Sequence, residues 1–439
     1  MYIIPNYEII ETSRGKVIVN LLNGCADIID DTIADNLRKG KIEDLFEEHR
    51  KLLLEREYIF ENKENYIQMI KELDEKLIQN SKKEPPNFVY VPTYSCNLNC
   101  YYCFEKGYEH SAINEECDVE KFQEFCEQTI EKLQIKNDVK YKNDEILVTI
   151  TGGEPLLITN YYKIEKILAW CKQKRFKVNI VTNGTTLDKY IDLFRKYKVD
   201  EIQVTLDGGR DIHDKIRITH SGEPTFDAII KNIIATKKFI DRLTVRINVN
   251  KKNIYSIKDL TKVIKENPEV SFYTYLMQQE GCSKENNIID EVEGIEILSD
   301  IQEDAGVVDN LNIVYHGKML IDSIFSNKPF KPKIKICSAM QNQFIVDYAG
   351  NIYKCWWGIG NLSYAVGKIN GEYYIDDNHV MLYKERRVNN IPKCRECKYR
   401  YICGGGCTGR LMRKQLENKE VMCPDFSRIF QYVIGRKMR

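Results

Sequence analysis

The sequence predicts an α/β protein built on a partial (β/α)6 barrel, with a small winged-helix-like unit ahead of it and a cysteine-rich region behind it. Three observations carry that prediction. Between residues 88 and 276, six short β-rich apolar runs alternate with stretches of helical periodicity, the pattern of parallel strands joined by crossover helices. Residues 7–30 read instead as short strands broken by turn residues, with helical patterns after them. Beyond about residue 323 the alternation stops, and seven of the fifteen cysteines lie there.

Residues 7–11, 16–20 and 25–30 form three strands separated at Arg14-Gly15 and at Asn23-Gly24, Asn-Gly being a strong hairpin signal. Residues 32–38 and 41–57 have apolar side chains at helical spacing, and Tyr58-Ile59-Phe60 returns as a strand. A polar helix over 64–82 and then Glu84-Pro85-Pro86 lead out of this unit, so residues 1–82 are expected to form a first domain. Barrel strands are expected at 88–93, 146–151, 178–182, 201–206, 243–249 and 270–276, with helices that include 161–174, 188–197 and 226–239. They define a second domain over 83–325, and in such a barrel chemistry belongs at the C-terminal ends of the strands. Residues 326–439 form a third domain of hairpins and cysteine loops, held by metal more than by a large core.

The chain has 439 residues, with 65 Lys plus Arg against 65 Asp plus Glu. A net charge of zero gives no global electrostatic case for nucleic acid or anionic membrane as a partner. No apolar run is long enough to span a bilayer, and the first residues lack the basic and apolar segments of an export signal. A cytoplasmic location is the expectation, and thiols stay reduced there. The cysteines are therefore read as metal ligands where they are patterned. Cys25, Cys117, Cys126, Cys171 and Cys282 are scattered and read as small core hydrophobes.

Directly after the first barrel strand comes Cys96-Asn97-Leu98-Asn99-Cys100-Tyr101-Tyr102-Cys103. Three thiolates on one loop fit a zinc knuckle only with a fourth ligand, for which His110 is the nearest candidate. They fit a 4Fe-4S cluster with one iron left open. The Cys spacing, with an aromatic residue at Tyr102 before the last cysteine, resembles the signature of the radical S-adenosylmethionine superfamily.

The resemblance extends along the chain. Gly152-Gly153-Glu154-Pro155 follows the second strand and is similar to the family's motif for the methionine end of the cofactor: glycines permit close backbone approach and a carboxylate can take the amino group. Asn183, after the third strand, and Thr205 and Asp207, at the end of the fourth, match the family's cofactor strands. Arg217, ahead of Arg246, is the candidate to neutralise the methionine carboxylate. With Tyr102 these form the expected cofactor set; no catalytic residue is assigned.

The C-terminal cysteines resemble the seven-cysteine SPASM extension, which in relatives of this kind carries two auxiliary 4Fe-4S clusters. That resemblance implies Cys394, Cys397, Cys403 and Cys423 for an outer cluster and Cys337, Cys355 and Cys407 for an inner one, beside Cys96, Cys100 and Cys103 for the cluster that binds S-adenosylmethionine. The inner set is one cysteine short. Sulfatase-maturing relatives carry a further cysteine between the first two of this region and an aspartate after the second; here Cys355 is followed by Trp356-Trp357. The fourth ligand could be a precursor cysteine, Cys282, water or a side-chain oxygen.

The N-terminal unit resembles the peptide-recognition element of maturases that act on ribosomally made peptides, though it could equally be a structural cap. The resemblance implies a radical S-adenosylmethionine peptide maturase fed by a reductant such as flavodoxin or ferredoxin. In it a 5'-deoxyadenosyl radical removes hydrogen from a precursor peptide, with thioether crosslinking of cysteine the leading outcome. Epimerisation, carbon-carbon crosslinking, sulfatase maturation and a non-catalytic zinc-stabilised peptide-binding protein are the alternatives.

Overall fold

The structure, a computed structural model, describes residues 1–107, 118–276, 287–326, 328–370, 372–409 and 423–439. The chain gathers into two compact units. One contains Met1–Glu84, His316–Met340 and Lys384–Arg439; the other contains Pro85–Tyr315 and Gln341–Tyr383. The stretch after residue 326, read from the sequence as one region, contributes to both.

In the first unit β1 (Tyr2–Ile3) pairs antiparallel with β5 (Ile59–Phe60), and β2 (Tyr7–Thr12), β3 (Gly15–Asn20) and β4 (Ala26–Ile29) form an antiparallel meander in that order. The helices Asp31–Lys39, Glu47–Glu55 and Lys63–Lys82 follow. Asp30 caps the first by accepting from Ile33 N at 2.7 Å, and Gly40 ends it in the left-handed conformation. The single helix expected over 41–57 is interrupted, because Leu45 and Phe46 are extended and Leu45 is drawn into the core with Ile18, Ile33, Leu37 and Leu53. Tyr58 ties the meander together from its buried hydroxyl, which meets Ile18 O, Cys25 O and the Asp27 carboxylate at 3.0, 3.1 and 2.9 Å.

A second core joins this N-terminal sheet to the C-terminal chain: Ile4, Leu22 and Tyr66 pack with Ile334, Val388 and Tyr401. Glu8 on β2 reinforces the junction, accepting from Lys398 Nζ at 2.6 Å, Tyr399 Oη at 2.8 Å and Ser427 Oγ at 2.6 Å. The amide of Gln431 brackets Glu11, donating to its carbonyl at 2.6 Å and accepting from its N–H at 3.2 Å. A side chain thus takes the place of a neighbouring strand at the outer edge of β2. Among the described residues β4 pairs with β3 alone.

The second unit is one open sheet. Its parallel strands are β6 (Asn87–Val91), β7 (Leu147–Ile150), β8 (Lys177–Thr182), β9 (Glu201–Leu206), β10 (Arg242–Val249), β11 (Ser271–Leu276) and β12 (Leu311–Val314), each beside the next. All six expected barrel strands are present, and β12 adds a seventh that its four-residue length hid. On the other side of β6 the sheet continues through β13 (Gln343–Asp347), which is parallel to β6, and then antiparallel through β14 (Asn351–Tyr353), β15 (Ala365–Asn370) and β16 (Glu372–Ile375). Every residue of β13 is buried; its Phe344-Ile345-Val346 run needs cover on both faces, which a place beside β6 provides.

Alternation along the strands sorts the two faces of the sheet. Ile202, Val204 and Leu206 are buried, and Val204 and Ile229, the latter on the helix Phe226–Thr236, both close on Gly184. Gln203 and Thr205 point the other way, to a polar face shared with Arg246, Asn248, Tyr273 and Tyr275. There the Arg246 guanidinium lies 4.1 Å from the centre of the Tyr275 ring, and Tyr273 Oη donates to Gln203 Oε1 at 2.6 Å.

Candidate functional site

The loop after β6 is pinned from several sides. Asn99 N donates to Ile218 O at 2.9 Å, Leu98 forms a bridge with Thr219, and Cys103 N donates to Cys100 O at 3.3 Å. Cys100 is buried and Cys96 and Cys103 are half-buried. Two donors aim at the Cys96 sulfur, Leu98 N at 3.4 Å and Asn183 Nδ2 at 3.8 Å, and such contacts favour a thiolate. Without a counter-cation, burial pushes the Cys96 thiol up to about 12 and Cys103 up to about 11, and raises Cys100 as well. A metal bound here must therefore displace protons from the sulfurs. Cys100 lies within electrostatic reach of both Cys96 and Cys103. Among the described residues no group of three or more His, Cys, Asp or Glu side chains is gathered to hold a single metal ion; a cluster asks for a different arrangement, one thiolate on each of several irons.

Gly152 and Gly153 lie against this loop. A Cβ on Gly153 would come 2.3 Å from Tyr94 O and 2.4 Å from Ser95 O, and one on Gly152, whose φ is +134°, would come 2.5 Å from Thr93 O. Glycine is required at both positions for the two loops to touch. Glu154 is fully buried, and protein donors take up its carboxylate: Leu156 N at 2.8 Å and Thr182 Oγ1 at 2.7 Å on one oxygen, Asn183 N at 2.7 Å on the other. Burial raises its pKa while these three donors hold it down. In this arrangement Glu154 fixes Asn183, whose amide reaches Asn97 Oδ1 at 2.8 Å as well as Cys96.

Tyr102 is the junction between the cysteine loop and the later strands. Its hydroxyl donates to Asp207 Oδ2 at 2.5 Å and accepts from Arg217 Nη1 at 2.6 Å, while Asn248 Nδ2 reaches the hydroxyl at 3.3 Å and Asp207 Oδ1 at 3.2 Å. Burial holds the Tyr102 phenol well above its ordinary value, so it remains a donor; Arg217, charged and 3.6 Å from Asp207, is the first of the groups opposing the rise that burial causes in Asp207. Arg217 Nε is buried and has no hydrogen-bond partner among the described residues. A buried orphan donor on a charged group is costly unless an acceptor arrives, and an anionic ligand such as a carboxylate supplies one. Thr205 is half-buried on the polar face of β9.

Beyond the barrel, the charges of Cys394, Cys397, Cys403 and Cys423 act on one another, and burial raises the Cys403 thiol to about 11 against backbone N–H groups of Gly405 and Gly406. Gly404, Gly405 and Gly406 all have positive φ, 65°, 87° and 73°, a backbone that turns successive N–H groups inward. The Arg386 guanidinium lies within electrostatic reach of Cys394, Cys403, Cys407 and Cys337 and donates to Gly405 O at 2.9 Å. Cys355 is buried at the end of the β14 hairpin, and Trp357 meets Phe104, the residue after Cys103, at 5.3 Å between ring centres. Cys126 and Cys171 are fully buried in helices, as scattered cysteines were expected to be. His110, Cys117 and Cys282 lie outside the described residues. The sequence did not single out Asn248 or His213; the polar alternation of Arg246 and Asn248 along β10 was the available signal for the first.

Residues 90–261 match the sequence model of the Radical SAM superfamily. The cysteine-type anaerobic sulfatase-maturating enzyme of Clostridium novyi is 22% identical over 370 residues, 78% of this chain and 93% of the relative. The Fe-coproporphyrin III synthase of Methanosarcina barkeri is 26% identical over 221 residues, and the match spans half the length of that relative. Among solved structures, anSMEcpe with bound AdoMet and Cp18Cys peptide superposes with a TM-score of 0.59 at 18% identity, covering 80% of this chain and 98% of that one. Streptococcus suis SuiB bound to S-adenosylmethionine gives 0.54 at 19% identity, covering 94% and 97%. With the α/β sheet and the cysteine loop in place, residues 90–261 define a Radical SAM domain, and the chain is an enzyme built on it. Its cofactors accordingly include S-adenosylmethionine and a 4Fe-4S cluster.

Proposed function

We propose that this chain is a maturase that uses S-adenosylmethionine and three 4Fe-4S clusters to modify a ribosomally made precursor peptide, joining a cysteine sulfur to a peptide carbon as a thioether. The observation that carries the reading is the Tyr102 junction. Through it the three-cysteine loop is hydrogen-bonded to Asp207, Arg217 and Asn248, and Arg217 offers a buried donor that still lacks an acceptor.

In this reading Cys96, Cys100 and Cys103 hold the first cluster. Gly152 and Gly153 seat the turn for the methionine end against the cysteine loop, Asn183 and Thr205 line the cofactor, and Arg217 takes its carboxylate through a charge-assisted bond. Asp207 and Tyr102 keep Arg217 in place, and Glu154 keeps Asn183 in place. The bound cluster and cofactor supply one-electron reduction and hydrogen abstraction, with flavodoxin or ferredoxin as electron source. Cys394, Cys397, Cys403 and Cys423 serve the outer auxiliary cluster, and Cys337, Cys355 and Cys407 the inner one, where a precursor thiolate completes the set. The solved relatives support a peptide substrate, since anSMEcpe is seen with Cp18Cys peptide and SuiB with precursor peptide SuiA. The outer edge of β4 is the place for a precursor leader to add as a strand, because Gln431 already occupies that of β2.

Sulfatase-type maturation is the second reading, favoured by similarity to the clostridial enzyme over most of this chain. Against it stands Trp356 in the position that would carry an acid. Product mass separates the two: a thioether keeps the sulfur and loses the mass of one hydrogen molecule, whereas formylglycine loses the sulfur.

Anaerobic reconstitution is expected to load about twelve irons per chain, four for each cluster. Replacing Cys96, Cys100 and Cys103 together by Ala should leave about eight and abolish production of methionine and 5'-deoxyadenosine. Stoichiometric zinc without iron, or cofactor cleavage by the triple variant, would overturn the reading.

A further inference from the structure

His213 sits in the helix Arg210–Ile216 with its ring fully buried, and both ring nitrogens are engaged. Asp207 N lies 3.3 Å from Nδ1, and Thr225 Oγ1 lies 3.1 Å from Nε2. A backbone N–H can only donate, so Nδ1 is the acceptor and Nε2 carries the hydrogen. The Thr225 hydroxyl, receiving from Nε2, donates onward to Arg217 O at 2.5 Å. Arg217 N in turn donates to His213 O at 2.8 Å.

One neutral imidazole therefore braces the backbone N–H of Asp207 on one side and, through Thr225, the carbonyl of Arg217 on the other, while the backbone carbonyl of His213 holds the Arg217 N–H. The side chains of those two residues meet on Tyr102. Between them the chain passes through Gly208, at φ +104°, and Gly209, so local conformational preference alone does not hold the segment.

We propose that His213 is a positioning residue for the cofactor, a strut whose fixed tautomer sets Asp207 and Arg217 against Tyr102 and thereby aims Arg217 Nε at the incoming carboxylate. The proposal rests on the assignment of Arg217 to S-adenosylmethionine given above. An ordinary core histidine would stabilise the fold without affecting the affinity for one small molecule, and the test separates the two.

The measurement is the dissociation constant of S-adenosylmethionine for the anaerobically reconstituted full chain, by equilibrium dialysis, with iron content and Tm recorded beside it. His213→Ala and Thr225→Val should each weaken binding about tenfold, the scale of one broken buried hydrogen bond, at unchanged iron content. The two together should be no worse than His213→Ala alone, because both break the same strut. His213→Gln, whose amide nitrogen can stand in for Nε2, should recover most of the affinity. If His213→Ala does not fold, Thr225→Val and His213→Gln carry the test. Affinity within twofold of wild type in Thr225→Val, additive losses in the double variant, or a Gln variant no better than Ala would each overturn the strut. Wild type that fails to bind S-adenosylmethionine would overturn the cofactor assignment and the strut with it.

Discussion

Burial decides how His213 answers to acid. Desolvation first, and the nearby Arg217 charge second, push the ring from its ordinary 6.5 down to about 3. Below pH 6.5 the unfolded chain takes up a proton that the folded chain refuses, so stability is lost as pH falls from 6.5 toward 3, by up to about 1.4 kcal/mol per pH unit. The Tm of wild-type protein should therefore fall more steeply between pH 6.5 and 4.5 than that of His213→Gln, which cannot titrate. Parallel slopes would mean that the ring accepts its proton without leaving the fold. Residues of this kind were half legible in the sequence. His213 stands four residues ahead of Arg217, yet residue type alone cannot tell a strut from a ligand. Its role comes from Thr225, twelve positions away and on the far side of a turn. Glu154 shows the same limit. Its place after the second strand was readable, whereas two of the three donors that take up its carboxylate, Thr182 Oγ1 and Asn183 N, come from the end of β8, which only folding brings alongside it.

At the scale of elements, the strands were legible because each is an apolar run with a two-residue period lying between helices of a different period. β9 coincides with its expected bounds. What periodicity could not show was partnership. The hairpins after residue 340 were readable as hairpins, but their place beside β6 depends on burying both faces of β13. The contact between the Gly152-Gly153 turn and the cysteine loop likewise depends on the parallel pairing of β6 with β7, which brings their C-terminal ends together. That contact yields a direct prediction. Gly153→Ala would drive a methyl group into two backbone carbonyls that cannot rotate away, an overpacking that costs about 1–3 kcal/mol or more. The loop that yields carries Cys96, so the variant should lose Tm and bind about four fewer irons per chain, while Gly222→Ala, strained by its φ of +83° but with open space around it, should keep its iron. Full iron occupancy in Gly153→Ala would show that the cysteine loop does not depend on the turn.

At the scale of the whole molecule, the N-terminal sheet is folded together with the C-terminal cysteine region. Ile334, Val388 and Tyr401 are almost wholly buried in the core that Ile4, Leu22 and Tyr66 complete, and Lys398, Tyr399 and Ser427 converge on Glu8. Removing residues 1–84 would uncover that apolar surface beside Cys394 and Cys397, so a truncated chain should aggregate and lose iron from the C-terminal set, whatever the N-terminal sheet recognises. Recognition has to be tested by a change that leaves this core alone. Ile28 meets that need: it lies on the edge strand β4, is 61% exposed, and takes no part in the shared core. Ile28→Lys should move stability by no more than about 0.5 kcal/mol, as exposed substitutions do, and a charged side chain on an edge strand discourages strand addition. Titration of a fluorescent precursor peptide into the full-length variant should then give at least about tenfold weaker binding, a loss near 1.4 kcal/mol, while cofactor cleavage without peptide continues at the wild-type rate. Unchanged precursor affinity in Ile28→Lys would move the leader site away from β4 and leave the N-terminal sheet as a structural partner of the cysteine region alone.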